Sequence, residues 1–169
     1  MTAEACVLVV EDEDVIRRIL VTVLQELGHK VLEAKDGEEA TTIIAANHQI
    51  DVLITDKNLP GMNGLELMRL MRARQPDTQL MMVTGYASYE SVLEALRLGA
   101  CDYMEKPFLD LASIQQRVQD AVQRGRGKTA PQTAVQLAQR LVDQLRDDGG
   151  AALLTALPLA EQALAALKK

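Results

Sequence analysis

The sequence predicts an α/β fold: a doubly wound, five-stranded parallel sheet covered by helices on both faces, followed by an α-helical extension. Three observations predict it. Short apolar runs alternate with amphipathic stripes five times through residues 1–125. The runs lack polar alternation, as expected of strands buried on both faces. The composition then changes near residues 124–128, where Arg-Gly-Arg-Gly-Lys reads as a hinge.

The elements follow in order. Cys6–Val10 is a continuous apolar run rich in β-branched residues and too short for a buried helix. Val15, Ile16, Ile19, Leu20, Val23, Leu24 and Leu27 form one helical stripe, ended by Gly28. Val31–Ala34 is a short strand. Asp36 with Glu39 makes a capping-box-like start to a helix through Ala46. Asp51–Thr55 is another buried strand, and Asn63 with Glu66 opens a helix to about Arg74. Gln79–Val83 is the fourth strand, Ser88–Leu98 a helix, Cys101–Met104 the fifth strand and Asp110–Gln123 the last helix. Consecutive parallel strands need helical crossovers, which fixes the layer arrangement.

Composition bounds the function. The chain has 169 residues, 48% hydrophobic and 25% charged, with net charge −6. That excludes wholesale disorder and allows one domain with an appendage, but not two full domains. The longest uncharged stretches are far short of the ~20 residues that span a bilayer, and the N-terminus carries no secretory pattern. The two cysteines, without CxxC or a Cys/His cluster, exclude a disulfide scaffold and a structural zinc site. A cytoplasmic protein with no membrane partner is therefore expected. Residues 1–125 hold 12 Lys/Arg against 20 Asp/Glu, whereas residues 126–169 hold 6 against 4.

In such sheets function sits at the carboxyl ends of the strands. There the sequence places Glu11-Asp12-Glu13, Asp56, Thr84 and Lys106-Pro107. Alone, Glu11–Asp14 reads equally well as a solvated acidic helix start that favours the helix dipole. Crowded carboxylates raise one another's pKa unless a hard cation such as Mg²⁺ joins them. One carboxylate could then serve as nucleophile toward a phosphoryl group, with Lys106 supplying a cation and Thr84 a hydroxyl donor.

The stretches Val9–Glu13, Ile54–Gly64, Val83–Tyr86 and Asp102–Phe108 resemble the receiver domain of bacterial two-component response regulators. The resemblance covers roughly residues 4–124. It implies the flavodoxin-like strand order 2-1-3-4-5, which the pattern itself does not supply. It also implies Asp56 as phosphoacceptor, with Mg²⁺ (Mn²⁺ as the alternative) held by Glu11, Asp12, Asp56 and the backbone carbonyl of Asn58. Thr84 and Lys106 would contact the phosphoryl group, and Tyr103 would be the aromatic switch. Pro107 would follow a cis peptide that holds the lysine inward. Glu11 stands where many members have Asp. The implied partner is a sensor histidine kinase or phosphotransfer protein, and the implied role is signalling rather than turnover catalysis. By position Asn58 and Tyr86 flank the approach of water, so the bulky Tyr86 predicts slow self-hydrolysis. The expected relay is the loop Gly85–Tyr89 with the helix 4, strand 5 and helix 5 face.

Blander expectations cover the remaining residues. Cys6 and Cys101 are core thiols on well-separated strands, His29 and His48 are surface residues, and Tyr103 is partly buried. The extension, 126–169, is expected to form two helices for interaction or dimerisation. Ala134, Ala138, Leu141 and Leu145 make one apolar stripe, and Pro158 kinks or divides the segment after Gly149-Gly150. Two such helices cannot form a core alone. They would dock on the first domain, pair with a second chain or meet a downstream protein. The rival reading is a transcriptional regulator whose tail is a short, degenerate helix-turn-helix. Against DNA, residues 160–169 offer only Lys168-Lys169 as basic groups and no base-reading Arg, Asn or Ser.

Overall fold

The computed structural model describes residues 4–46, 49–86, 88–108 and 110–127, together with helical positions 136, 138, 139, 142, 143, 158, 161, 162 and 164–166. The elements are β1 (Cys6–Val10), α1 (Asp14–Glu26), β2 (Lys30–Ala34), α2 (Gly37–Ala45) and β3 (Val52–Asp56). They continue with α3 (Gly64–Arg74), β4 (Gln79–Thr84), α4 (Tyr89–Arg97), β5 (Ala100–Glu105) and α5 (Leu111–Gly125). All strand pairs are parallel and the order is β2-β1-β3-β4-β5. Relative to the sequence pattern, β3, β4 and β5 run one residue further, so Asp56 and Thr84 are the last residues of their strands.

Strand alternation divides the core. Val7, Val9, Val52, Ile54, Met81 and Val83 lie in a cluster with α1 and α5 residues such as Leu24 and Val118. Leu8, Val10, Leu53, Leu80 and Met82 lie in a second cluster with Ala40, Met68 and Leu96 from α2, α3 and α4. Both faces of the central strands are thus buried, which explains their unbroken apolar runs. The polar signals punctuate the helices as read. Gly28 takes φ +79° after α1. Asp36 accepts from the Glu39 N–H, and Asn63 with Glu66 completes a capping box.

Between β4 and β5 the register jumps from Leu80↔Ala100 to Met81↔Asp102, a bulge that leaves Cys101 as the extra residue. Asp102 is fully buried and pairs with Arg117 of α5 at 2.7 Å. The Lys106–Pro107 peptide is cis.

Three expectations are corrected. His29 is buried, not a surface residue, and neither ring nitrogen has a hydrogen-bond partner among the described residues. The charges of Arg126 and Glu4 both act on it, and Arg126 donates to the Glu4 carbonyl. Tyr103 is buried rather than partly buried, since the cluster around α4 encloses its ring. Cys6 is only half-buried, because it is the first residue of β1, at the amino end of the sheet; Cys101 is buried, and no disulfide joins them. His48 lies outside the described residues.

In the extension, Gly127 takes φ +68° just after the α5 cap at Arg126. Ala138, Val142 and Leu164 are buried and belong to the same apolar cluster as Val92, Leu96 and Tyr103. The segment 151–157 lies outside the described residues. Among the described residues no helix is long and apolar enough to cross a membrane.

Candidate functional site

Parallel strands end on a common edge, so residues far apart in sequence meet there. β1 delivers Glu11, β3 Asp56, β4 Thr84 and β5 Lys106. Glu11 and Asp56 are buried, at 1% and 4% exposure, whereas Asp12 is exposed. One carboxylate oxygen from each of these three acids lies within 4.8 Å of the other two. Hard oxygen donors without nitrogen or sulfur are what Mg²⁺ or Mn²⁺ takes, so the residues fit such an ion.

Lys106 faces this cluster. Its Nζ is 2.7 Å from Glu11 Oε2, 3.1 Å from Asp56 Oδ1 and 3.2 Å from Glu13 Oε1. Burial alone would lower the lysine pKa, but hydrogen bonds and charge from Glu11 and Asp56 outweigh it and the ammonium is pushed up to about 12. Burial raises the Glu11 carboxyl, with Lys106 opposing the rise. The lysine backbone N–H donates to the Thr84 carbonyl at 2.8 Å, which fixes the base of the side chain.

Asp56 is held on both sides. Its Oδ2 accepts the Asn58 backbone N–H at 2.6 Å while Oδ1 faces Lys106. Behind it, a Cβ on Gly64 would stand 2.1 Å from the Asp56 carbonyl oxygen, so only glycine lets α3 start this close.

Thr84 is at the site, but its hydroxyl is turned to the following loop. It donates to the Tyr86 carbonyl and accepts the Tyr86 N–H, both at 3.1 Å. Tyr86 itself is 75% exposed and Asn58 is exposed. The Tyr103 hydroxyl lies 3.2 Å from Ser91 Oγ in α4, and burial pushes the phenol up to about 12. The structure therefore brings Glu11, Asp12, Asp56 and Lys106 into one pocket and sets Thr84 beside it, with Tyr103 one layer behind.

Sequence reasoning missed three partners. Glu13 reaches Lys106, although it lay in the same acidic run. Ser91 holds Tyr103, and its only signal was a position three residues after the Ser88 cap. Lys57, next to Asp56, donates to the Tyr86 carbonyl at 2.8 Å across 29 positions of sequence.

Comparison with known proteins agrees with this geometry. Residues 7–119 match the family model of the response regulator receiver domain. A chemotaxis protein CheY homolog of Campylobacter jejuni is 40% identical over 126 residues, 73% of this chain and 96% of that protein. The regulatory protein AtoC of Escherichia coli is 39% identical over 73% of this chain but only 26% of its own length. Among solved structures, the chemotaxis response regulator CheY4 of Vibrio cholerae superposes with TM-score 0.64 at 32% identity, covering 70% of this chain and 99% of that one. The response regulator TrrA of Thermotoga maritima, in complex with Mg²⁺ and BeF, gives 0.62 at 32% identity, covering 69% and 98%. With a family model that spans most of its length and a parallel sheet in the family's strand order, the chain belongs to the response regulator receiver-domain family of two-component signalling proteins.

Proposed function

We propose that Asp56 accepts a phosphoryl group from a sensor histidine kinase or phosphotransfer protein. The resulting change is passed through the α4, β5 and α5 face and the C-terminal helices to a protein partner. The observation that carries this reading is the meeting of three carboxylates within 4.8 Å, one of them 3.1 Å from the Lys106 ammonium.

A carboxylate oxygen of Asp56 attacks phosphorus. The new P–O bond forms as the P–N bond of the donor phosphohistidine breaks, and the electron pair leaves with the imidazole. Lys106 stays charged throughout and balances the transferred oxygens. Glu11, Asp12, Asp56 and the Asn58 backbone carbonyl would hold a Mg²⁺ (or Mn²⁺) ion, which when bound would further neutralise charge on the phosphoryl group. Thr84 offers its hydroxyl once it leaves the Tyr86 backbone. Tyr103 is the next group behind it, and its Ser91 contact is what that movement would disturb. Asn58 and Tyr86 flank the path of hydrolytic water.

Val15, Tyr86 and Leu111 are large apolar residues at 70%, 75% and 47% exposure. They stand at the starts of α1 and α5 and in the β4–α4 loop, so all three lie at the same carboxyl end of the sheet as the charged pocket. Exposed apolar residues at the same end as a polar centre suit docking of a protein donor. Burial of Ala138, Val142 and Leu164 in the receiver's apolar cluster supports a tail used for packing rather than for DNA contacts.

Acetyl phosphate labelling of the full chain with Mg²⁺ tests the reading. One phosphoryl group on the wild type, and none on Asp56→Asn or with chelator present, is the expected result. Labelling that persists in Asp56→Asn would assign the acceptor elsewhere. A sizing column run on the labelled chain separates dimerisation from monomeric output, and a salt-dependent duplex shift would restore the DNA reading.

A further inference from the structure

The β4–α4 loop is tied to the phosphoacceptor strand by a side chain that the phosphoryl-transfer chemistry does not use. Lys57 follows Asp56, and its backbone is fixed at both ends. Its N–H donates to the Val83 carbonyl, and its carbonyl accepts the Gly64 N–H, each at 2.9 Å. From this rigid post the ammonium donates to the Tyr86 carbonyl at 2.8 Å and stands 5.9 Å from the centre of the Tyr86 ring. The other end of the tie is the β4–α4 loop, where a Cβ on Gly85 would meet nothing within 4 Å, so open space lies beside the backbone next to Tyr86. The same Tyr86 carbonyl accepts the Thr84 hydroxyl at 3.1 Å. One carbonyl oxygen thus holds two donors, and one of those donors has to leave if Thr84 is to serve a phosphoryl group on Asp56.

We propose that Lys57 is a positioning residue: it latches the Tyr86 carbonyl and ring, and so keeps the β4–α4 loop and the Thr84 hydroxyl in the resting arrangement. A charge-assisted bond to a backbone carbonyl, with a cation facing an aromatic ring, favours the state that makes both contacts. The Thr84 hydroxyl pairs with both the carbonyl and the N–H of Tyr86, so a pocket ligand that recruits Thr84 and thereby shifts the Tyr86 backbone works against the latch, which lowers apparent affinity by the fraction of molecules it holds at rest. The latch itself is a property of the unphosphorylated chain. Only its consequence for switching rests on the phosphoacceptor reading.

The test uses the full chain as wild type, Lys57→Met and Lys57→Arg, by NMR and by titration with beryllofluoride and Mg²⁺. In the unliganded protein Lys57→Met is expected to shift the Tyr86 carbonyl carbon resonance and speed amide exchange at Gly85 and Tyr86, with Lys57→Arg close to wild type. Beryllofluoride affinity of Lys57→Met is expected to rise about threefold to tenfold at high salt, where loss of a nearby positive charge is screened. Lys57→Arg should stay at the wild-type value. An unchanged Tyr86 resonance in Lys57→Met overturns the latch, and so does unchanged or weaker beryllofluoride binding at high salt. If the wild type itself does not bind beryllofluoride, the phosphoacceptor reading fails, and the resonance and exchange data still decide for or against the latch.

Discussion

The two ends of the sheet use their polar side chains in opposite ways. At the amino end four of them reach for backbone. Asp51 accepts the Cys6 N–H at 2.7 Å, Gln75 accepts the Ile50 N–H at 2.9 Å, and Thr78 donates to the Ile50 carbonyl at 2.8 Å. Arg72 spreads its guanidinium over the carbonyls of Leu98, Gly99, Pro76 and Thr78. At the carboxyl end Glu11, Asp56 and Lys106 are aimed at one another instead. The first arrangement closes loops, and the second holds opposed charge in a small volume. On the proposed reading, fold stability and signalling chemistry lie at separate poles, and substitutions at the two should have separable effects.

The largest effect is expected at the carboxyl pole. On the proposed reading, Lys106→Met should slow acetyl phosphate labelling of Asp56 on the order of 100-fold or more, since it removes the cation that would balance the transferred oxygens. Rapid-quench labelling measures it, and a loss below tenfold would mean that Lys106 only supports Glu11. The next effect is expected at the amino pole. Arg72→Met should cost about 2 kcal/mol in urea unfolding, because several carbonyls lose a donor. Labelling by the folded fraction should be unchanged, and a matching fall in labelling rate would break the separation of the poles.

A smaller effect returns to the pocket. Saturating Mg²⁺ should stabilise the wild type by about 1–3 kcal/mol through binding to the native state alone. Asp12→Asn should lose most of that gain, as read by thermal melts with and without the ion. The smallest concerns His29, whose pKa is lowered first by burial and then by nearby Arg126, with Asp51 and Glu4 opposing. The folded state therefore prefers the neutral ring. Stability is complete above the unfolded pKa of about 6.5 and falls as pH drops through the lower folded value. His29→Phe should flatten that slope in denaturation series taken from about pH 7 to pH 5.

Much of this was readable beforehand because the relevant forces are local. A strand covered on both faces needs an unbroken apolar run, and a helix start needs an acceptor side chain, so Cys6–Val10, Asp36 and Asn63 announce themselves. The pocket was readable for the same reason, since Glu11, Asp56, Thr84 and Lys106 each end or directly follow a strand. Strand order came with the family resemblance, because nothing in the hydrophobic period says which parallel strand lies beside which. Contacts between elements left no periodic trace. His29 sits between Gly28 and Lys30 with no pattern to mark it as buried, and the Ser91–Tyr103 and Lys57–Tyr86 pairs join separate elements. The extra residue at Cys101 was equally silent, because a bulge changes register without changing composition.

The contact between Arg126 and Glu4 has an evolutionary reading. It places the entry and exit of the receiver side by side, on the pole away from Asp56. A unit whose two doors open on one side can be spliced beside other modules without covering its working face. The match to AtoC, where the aligned region is about a quarter of the protein, has the form such splicing would leave.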